Sequence, residues 1–181
     1  LERIGGVAGV KVHPTLGMEE PWRYRNKSQV PVGGEEGALV TGFFAAGSHQ
    51  IVPMESCAIQ HEVSDRVVRT VRRVAERLGL SPYDEGAHRG LLRHIMVRVG
   101  WATGEVMVVL VTKEKKLPHK EALIQELKQK IRGLTSLVQN INPDRTNVIL
   151  GQESRLLWGR EVIYDCIGGI RFAISPRSFY Q

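Results

Sequence analysis

The sequence predicts an α+β fold: mainly antiparallel sheets with two principal helices. Three observations point there. Apolar residues recur at helical spacing in only two windows, roughly residues 64–78 and 118–132, and most of the remaining chain reads as short strands divided by Gly, Asn, Asp and Pro. The order of elements is strands, helix, hairpin, helix, strands, which suits an α+β arrangement. No regular βαβ alternation is present, so a complete doubly wound nucleotide-binding sheet is not expected. With 181 residues, 42% hydrophobic and 24% charged, the chain suffices for one substantial domain or two small ones and is not of disordered composition.

The elements are justified in turn. Tyr24 to Val32 alternates, Gly33-Gly34 reads as a turn, and Ala38 to Phe44 supplies β-branched and aromatic residues for a partner strand closed by Gly47. This predicts a hairpin carrying Arg23, Arg25 and Lys27 on its first strand. A helix follows, with Ser64 as N-cap, Val67, Val68, Val71, Val74, Ala75 and Leu78 on its buried stripe, and Gly79 and Pro82 at its end. Its other side carries Arg66, Arg69, Arg73 and Arg77, for which a solvated helix face outweighs an RNA contact. Arg93 to Trp101 and Glu105 to Thr112 are strands joined as a hairpin through Ala102-Thr103-Gly104. Val106 to Val111 has no polar face and should be a central strand covered on both sides. The second helix spans about Pro118 to Arg132, burying Leu123, Ile124, Leu127 and Ile131 and ending at Gly133. Strands at Leu134 to Ile141, Val148 to Leu150, Glu161 to Tyr164 and Gly169 to Ile174 complete the chain.

Several function classes lack support. The longest apolar run is too short for a membrane span, which needs roughly 20 residues, and the start carries no signal-peptide pattern. Leu1 is not an initiator methionine and the chain stops just after an aromatic pair, so both ends read as cuts in a longer protein. The six histidines fall into no H-E-x-x-H spacing, no G-x-S-x-G elbow is present, and the glycine pairs form no phosphate-binding loop. Cys57 and Cys166, far apart, make neither a disulfide framework nor a four-ligand metal site. Alone, Cys57 reads as a small buried hydrophobe or as one ligand of a set completed elsewhere, and Cys166 as structural.

The net charge of +6 is compatible with an anionic partner such as nucleic acid or with a merely basic protein. The stretch Pro21-Trp22-Arg23-Tyr24-Arg25-Asn26-Lys27 sharpens the first option: cations neutralise phosphates, aromatic rings stack on unpaired bases, and Asn bonds base edges. The opposing reading places Trp22 and Tyr24 in the core and leaves the cations on a solvated face.

That stretch, the segment around Cys57, Asn140-Ile141-Asn142 with Thr146-Asn147, Gly168-Gly169-Ile170-Arg171-Phe172, and Ile174-Ser175-Pro176-Arg177-Ser178-Phe179-Tyr180-Gln181 together resemble the bacterial RNA (uracil-5-)-methyltransferases, especially the 23S ribosomal RNA branch. The resemblance runs in order over nearly the whole chain. It implies a central domain at 1–174, with 175–181 leading toward a Rossmann-like methyltransferase domain that lies beyond it. The parent would be a cytoplasmic enzyme that uses S-adenosylmethionine and RNA, and it often carries a [4Fe–4S] cluster. Its catalytic nucleophile and base would follow residue 181, leaving this chain inactive alone. Cys57 matches the family's fourth cluster ligand; the other three have no counterpart here. By the same resemblance Phe179 lies near the flipped target base and Gln181 near the base or cofactor, both disordered where the following domain is missing. Arg23, Arg25 and Lys27 take the RNA contacts. A transfer-RNA enzyme of the family and a non-catalytic RNA-binding module remain as alternatives.

Overall fold

The computed structural model describes residues 1–180 of the chain. After a short helix α1 (Glu2–Gly5) come β1 (Lys27–Glu35), β2 (Ala38–Phe44), β3 (Ile51–Pro53), α2 (Glu62–Arg77), β4 (Leu92–Val99) and β5 (Val106–Thr112). Then follow α3 (Lys120–Lys130), β6 (Leu134–Ile141), β7 (Glu153–Gly159), β8 (Ile163–Ile167) and β9 (Ile170–Ile174). Seven strands form one sheet in the order β3-β2-β1-β4-β5-β6-β7, and β8-β9 form a separate hairpin. All neighbours in the large sheet are antiparallel except β5 and β6, which run parallel across α3. The α+β class therefore holds with a mixed sheet, and it includes one βαβ unit.

The two faces of the sheet are covered differently. On one face Val30, Ile95, Val97, Val106, Val108 and Leu110 pack with the valines of α2 and with Leu123 and Leu127 of α3. On the other, Met96, Met107, Val109 and Val138 pack beneath Ile163 and Ile174 of the β8-β9 hairpin, with Leu150 and Tyr180 against them. This alternation follows from the period of two along a strand. It accounts for β5, whose every residue is buried.

Several local expectations are corrected. The first hairpin turns at Glu36-Gly37, because Gly33 and Gly34 pair with Val40 and Leu39 inside the ladder. The glycine at 34 is required there: its φ is 88° and a Cβ would lie 2.3 Å from the carbonyl oxygen of Ala38. His61 rather than Ser64 caps α2, its ring accepting from the Val63 N–H at 3.2 Å, while Ser64 is buried within the first turn. The β4-β5 connection runs from Gly100 to Glu105, longer than the predicted three residues. Residues 148–150 form no strand. The edge strands β3 and β7 were not foreseen, because neither alternates cleanly. Among the described residues no helix is long and apolar enough to cross a membrane.

Candidate nucleic-acid interface

The basic-aromatic stretch leads into β1, and the structure separates the roles of its three cations. Arg23 adopts a left-handed backbone with φ 58°. Its guanidinium donates to the Cys57 carbonyl at 2.6 Å and to Asp65 Oδ2 at 2.9 Å, and reaches the Gln60 carbonyl and Ser56 Oγ at 3.3 Å. Asp65, buried in the first turn of α2, also accepts from the Cys57 N–H at 3.2 Å. Arg23 and Asp65 thus clamp the loop of residues 56–60 onto the helix and hold the Cys57 backbone from both sides.

Arg25 and Lys27 are disposed differently. Arg25 bridges to Gln60 through its backbone, and its Nε donates to the Lys27 carbonyl at 3.1 Å. With Gln29, Phe43, Cys57, Ile59 and Gln60 the two cations line a cavity of about 280 Å³. Neither has an acidic partner among the described residues. Lys27 stands opposite Arg98 in the β1-β4 register. Partial burial, followed by repulsion from Arg98 and Arg25, holds the Lys27 ammonium below its ordinary pKa. Such uncompensated positive charge favours an anionic ligand.

Arg98 anchors the end of the chain. It is buried, which pulls its pKa down to about 10. It donates to the carbonyls of Pro176 and Tyr180, each at 3.1 Å, and to that of Ser178. Tyr180 in turn donates its hydroxyl to Asp165 at 2.9 Å. Asp165 also receives the N–H groups of Trp101 at 2.7 Å, Ala102 at 2.8 Å and Cys166 at 2.9 Å. Burial alone would raise the Asp165 pKa, but these hydrogen bonds outweigh it and hold the carboxyl below its usual value. Burial and then the hydrogen bond to Asp165 push the Tyr180 phenol up to about 12.

Phe179 is carried on this anchored segment and is 92% exposed. Gln181 lies outside the described residues. Trp22, Tyr24 and Trp101 are also exposed, and Trp101 meets the His61 ring edge-on at 5.0 Å. Trp22 and Tyr24 are therefore not core residues. Sequence reasoning missed Arg98, Asp165 and Trp101. A signal for Arg98 existed: an arginine in the otherwise apolar stretch Ile95-Met96-Val97-Arg98-Val99 has to find buried acceptors.

The other candidates are placed plainly. In the arginine stripe of α2, Arg66 pairs with Glu62 at 3.7 Å, Arg77 with Glu126, and Arg69 donates to the Glu55 carbonyl. Cys57 is half-buried and Cys166 is exposed; both thiols are free, and exposure removes the structural reading of Cys166. Among the described residues no group of three His, Cys, Asp or Glu side chains could hold a metal ion. Since a [4Fe–4S] cluster takes four ligands, the residues of this chain do not fit one by themselves.

No known protein-family profile matches the chain. It is 56% identical over its entire length to a protein of Halalkalibacterium halodurans called an uncharacterized RNA methyltransferase, of which it covers 40%. A Bacillus cereus protein called an uncharacterized RNA methyltransferase is 52% identical over the whole chain, which covers 39% of it. The chain thus spans about 40% of the length of these relatives, and they bear out its resemblance to RNA methyltransferases. In fold it is similar to the Pyrococcus abyssi tRNA (uracil-54, C5)-methyltransferase solved with S-adenosyl-L-homocysteine. The TM-score is 0.71 at 23% identity, over 90% of this chain and 38% of that one.

Proposed function

We propose that this chain, homologous from end to end to part of bacterial RNA methyltransferases, is the central, RNA-binding part of an S-adenosylmethionine-dependent RNA (uracil-5-)-methyltransferase. The observation that carries the reading is the cationic pocket of Arg25 and Lys27, which have no acidic partner among the described residues, with the exposed rings of Trp101 and Phe179 on segments tied to the same sheet. Cations meet phosphates and rings stack on unpaired bases, so the surface suits a single-stranded or splayed RNA segment. Arg23 serves that surface by building the loop beside it rather than by presenting a free charge.

S-adenosylmethionine supplies the methyl group in the parent enzyme. A target base has to leave its stack to be modified; the roles assigned to Phe179, exposed on the segment held by Arg98, and to Gln181 are contact with that base and with base or cofactor respectively. Cys57 is the proposed cluster ligand, with its partners supplied by the remainder of the parent. Its backbone is fixed from two sides, by Arg23 at the carbonyl and Asp65 at the N–H. The nucleophile and base belong to the remainder of the parent, and this chain alone is inactive. The proposed substrate is 23S ribosomal RNA in the cytoplasm.

The test is methylation and binding by the full-length protein with ribosomal and transfer RNA, beside Arg25→Ala/Lys27→Ala. Methyl transfer to uridine carbon 5 of ribosomal RNA, with weaker binding and a flatter salt dependence in the variant, is the expected result. Modification of transfer RNA alone would move the substrate assignment. Binding unchanged in the variant would remove this surface from the RNA path.

A further inference from the structure

Asp165 is fully buried in the β8-β9 hairpin. A buried carboxylate is costly unless donors surround it. Oδ2 accepts from the Trp101 N–H at 2.7 Å and from the Tyr180 hydroxyl at 2.9 Å. Oδ1 accepts from the Ala102 N–H at 2.8 Å and the Cys166 N–H at 2.9 Å. The donors of the β4-β5 turn lie 64 and 63 residues away and Tyr180 lies 15 away, so one carboxylate joins a turn, a hairpin and the segment of residues 176–180.

The turn and the segment each present a bare ring. On the turn side, Gly100 lets the chain come against β8, because a Cβ there would lie 2.6 Å from the Tyr164 carbonyl oxygen. Thr103 donates its hydroxyl to the same carbonyl at 2.6 Å. The Trp101 ring nevertheless stays 59% exposed, touching His61 edge-on. On the other side, Tyr180 packs on the apolar cluster beneath the hairpin, and Arg98 holds the carbonyls of Ser178 and Tyr180 that flank Phe179. The Phe179 ring gains no cover from either contact.

A single exposed ring is ordinary on a protein surface. A role in stability accounts for the hydrogen bonds of Asp165, but not for leaving bare both of the rings whose segments it joins. Fixing two rings in advance lowers the entropic cost of binding a ligand that uses both. Exposed aromatic rings on a rigid support take unpaired bases by stacking. We infer that Asp165 is a positioning residue for RNA: it holds the Trp101 and Phe179 rings at a fixed spacing, so that both stack on bases of one unpaired strand. The inference rests on the RNA-binding reading above and adds the group that couples the two rings.

The test uses the full-length protein at fixed salt with two fluorescein-labelled probes, an octamer of uridine and an abasic ribose-phosphate octamer of the same charge. Phosphate contacts act on both probes, whereas stacking acts only on the first. Trp101→Ala and Phe179→Ala are each expected to weaken uridine-octamer binding about tenfold and to leave abasic binding unchanged. Asp165→Asn keeps the size of the side chain but replaces one acceptor by a donor. It should weaken the uridine octamer alone, and on that background either ring substitution should cost less than about threefold. Tyr180→Phe removes a single hydrogen bond and decides the matter where Asp165→Asn does not fold. In Tyr180→Phe, Phe179→Ala should cost less than about threefold while Trp101→Ala still costs about tenfold. Equal losses on both probes in Asp165→Asn would make the residue merely structural and overturn the inference. Ring substitutions that leave the uridine octamer unaffected, or that cost as much in the Asp165→Asn and Tyr180→Phe backgrounds as in the wild type, would also overturn it and leave RNA binding intact. Binding of neither probe by the wild type would sink this inference and the RNA-binding reading together.

Discussion

Arg98 and His94 sit on the same strand and show two ways of housing a polar side chain inside a sheet. Arg98 keeps its charge because three backbone carbonyls of residues 176–180 accept from it. Replacing it by Ala leaves those carbonyls without their donor and releases the segment bearing Phe179. A loss of about 2–4 kcal/mol is expected in urea unfolding, with faster proteolysis after residue 175; unaltered cleavage would show that the segment is held elsewhere. His94 instead stays neutral. The unfolded chain takes up a proton at this ring below about pH 6.5, whereas the folded chain does so only near pH 4. The unfolded state therefore binds more protons between those values, and stability falls as pH falls through that window. The full effect is about 3 kcal/mol, to be read as a flatter stability–pH profile in His94→Phe over the same interval. At Cys57, iron and labile-sulfide analysis of the full-length protein purified without oxygen should find a cluster that Cys57→Ala loses. Iron absent from both, or retained by the variant, would return Cys57 to an ordinary half-buried residue.

At the scale of elements, the β1-β2 hairpin separates two uses of glycine. Gly37, in the turn with φ 82°, would place a Cβ in open space, whereas at Gly34 a Cβ would meet the Ala38 carbonyl oxygen at 2.3 Å. Gly37→Ala is expected to cost about 1 kcal/mol from backbone conformation alone. Gly34→Ala adds a collision with backbone that cannot swing aside, and about 2–4 kcal/mol is expected. Chemical denaturation of both variants checks the order; equal losses would mean that the ladder shifts to accommodate the methyl group. The clamp of Arg23 on Asp65 belongs to this scale as well, since it joins the entry to β1, the loop of residues 56–60 and α2. Asp65→Asn is expected to loosen that loop first, seen as faster amide exchange at Cys57 than in the body of α2.

Across the whole molecule, helices fill one face of the sheet, and the β8-β9 hairpin covers only part of the other. Along β1 the second face is left to the cationic pocket, and the cations there lack acidic partners among the described residues. RNA binding through this face should weaken steeply with salt. Arg25→Ala/Lys27→Ala should reduce the slope of log K against log salt by about 1–2, since each lost phosphate contact removes about 0.7–0.9. The two helices, the apolar β5 and the exact span of β6 were legible because hydrophobic period and glycine stops are local properties, present in the linear sequence. The +6 charge and the cation-aromatic run likewise pointed to an anionic partner before any fold was known. Which cations are free was not legible. Arg23 and Arg25 stand two residues apart in similar company, yet Asp65 of α2 takes the first, and no acidic residue among those described takes the second. The housing of Arg93 likewise depends on a bulge and on carbonyls some fifty residues away, as the separations of 49, 51 and 53 show. Local pattern decides which segments become helix or strand. The pairing of distant segments decides which charges are spent on holding the fold and which remain for a ligand, because a buried charge needs partners that only the folded chain brings to it.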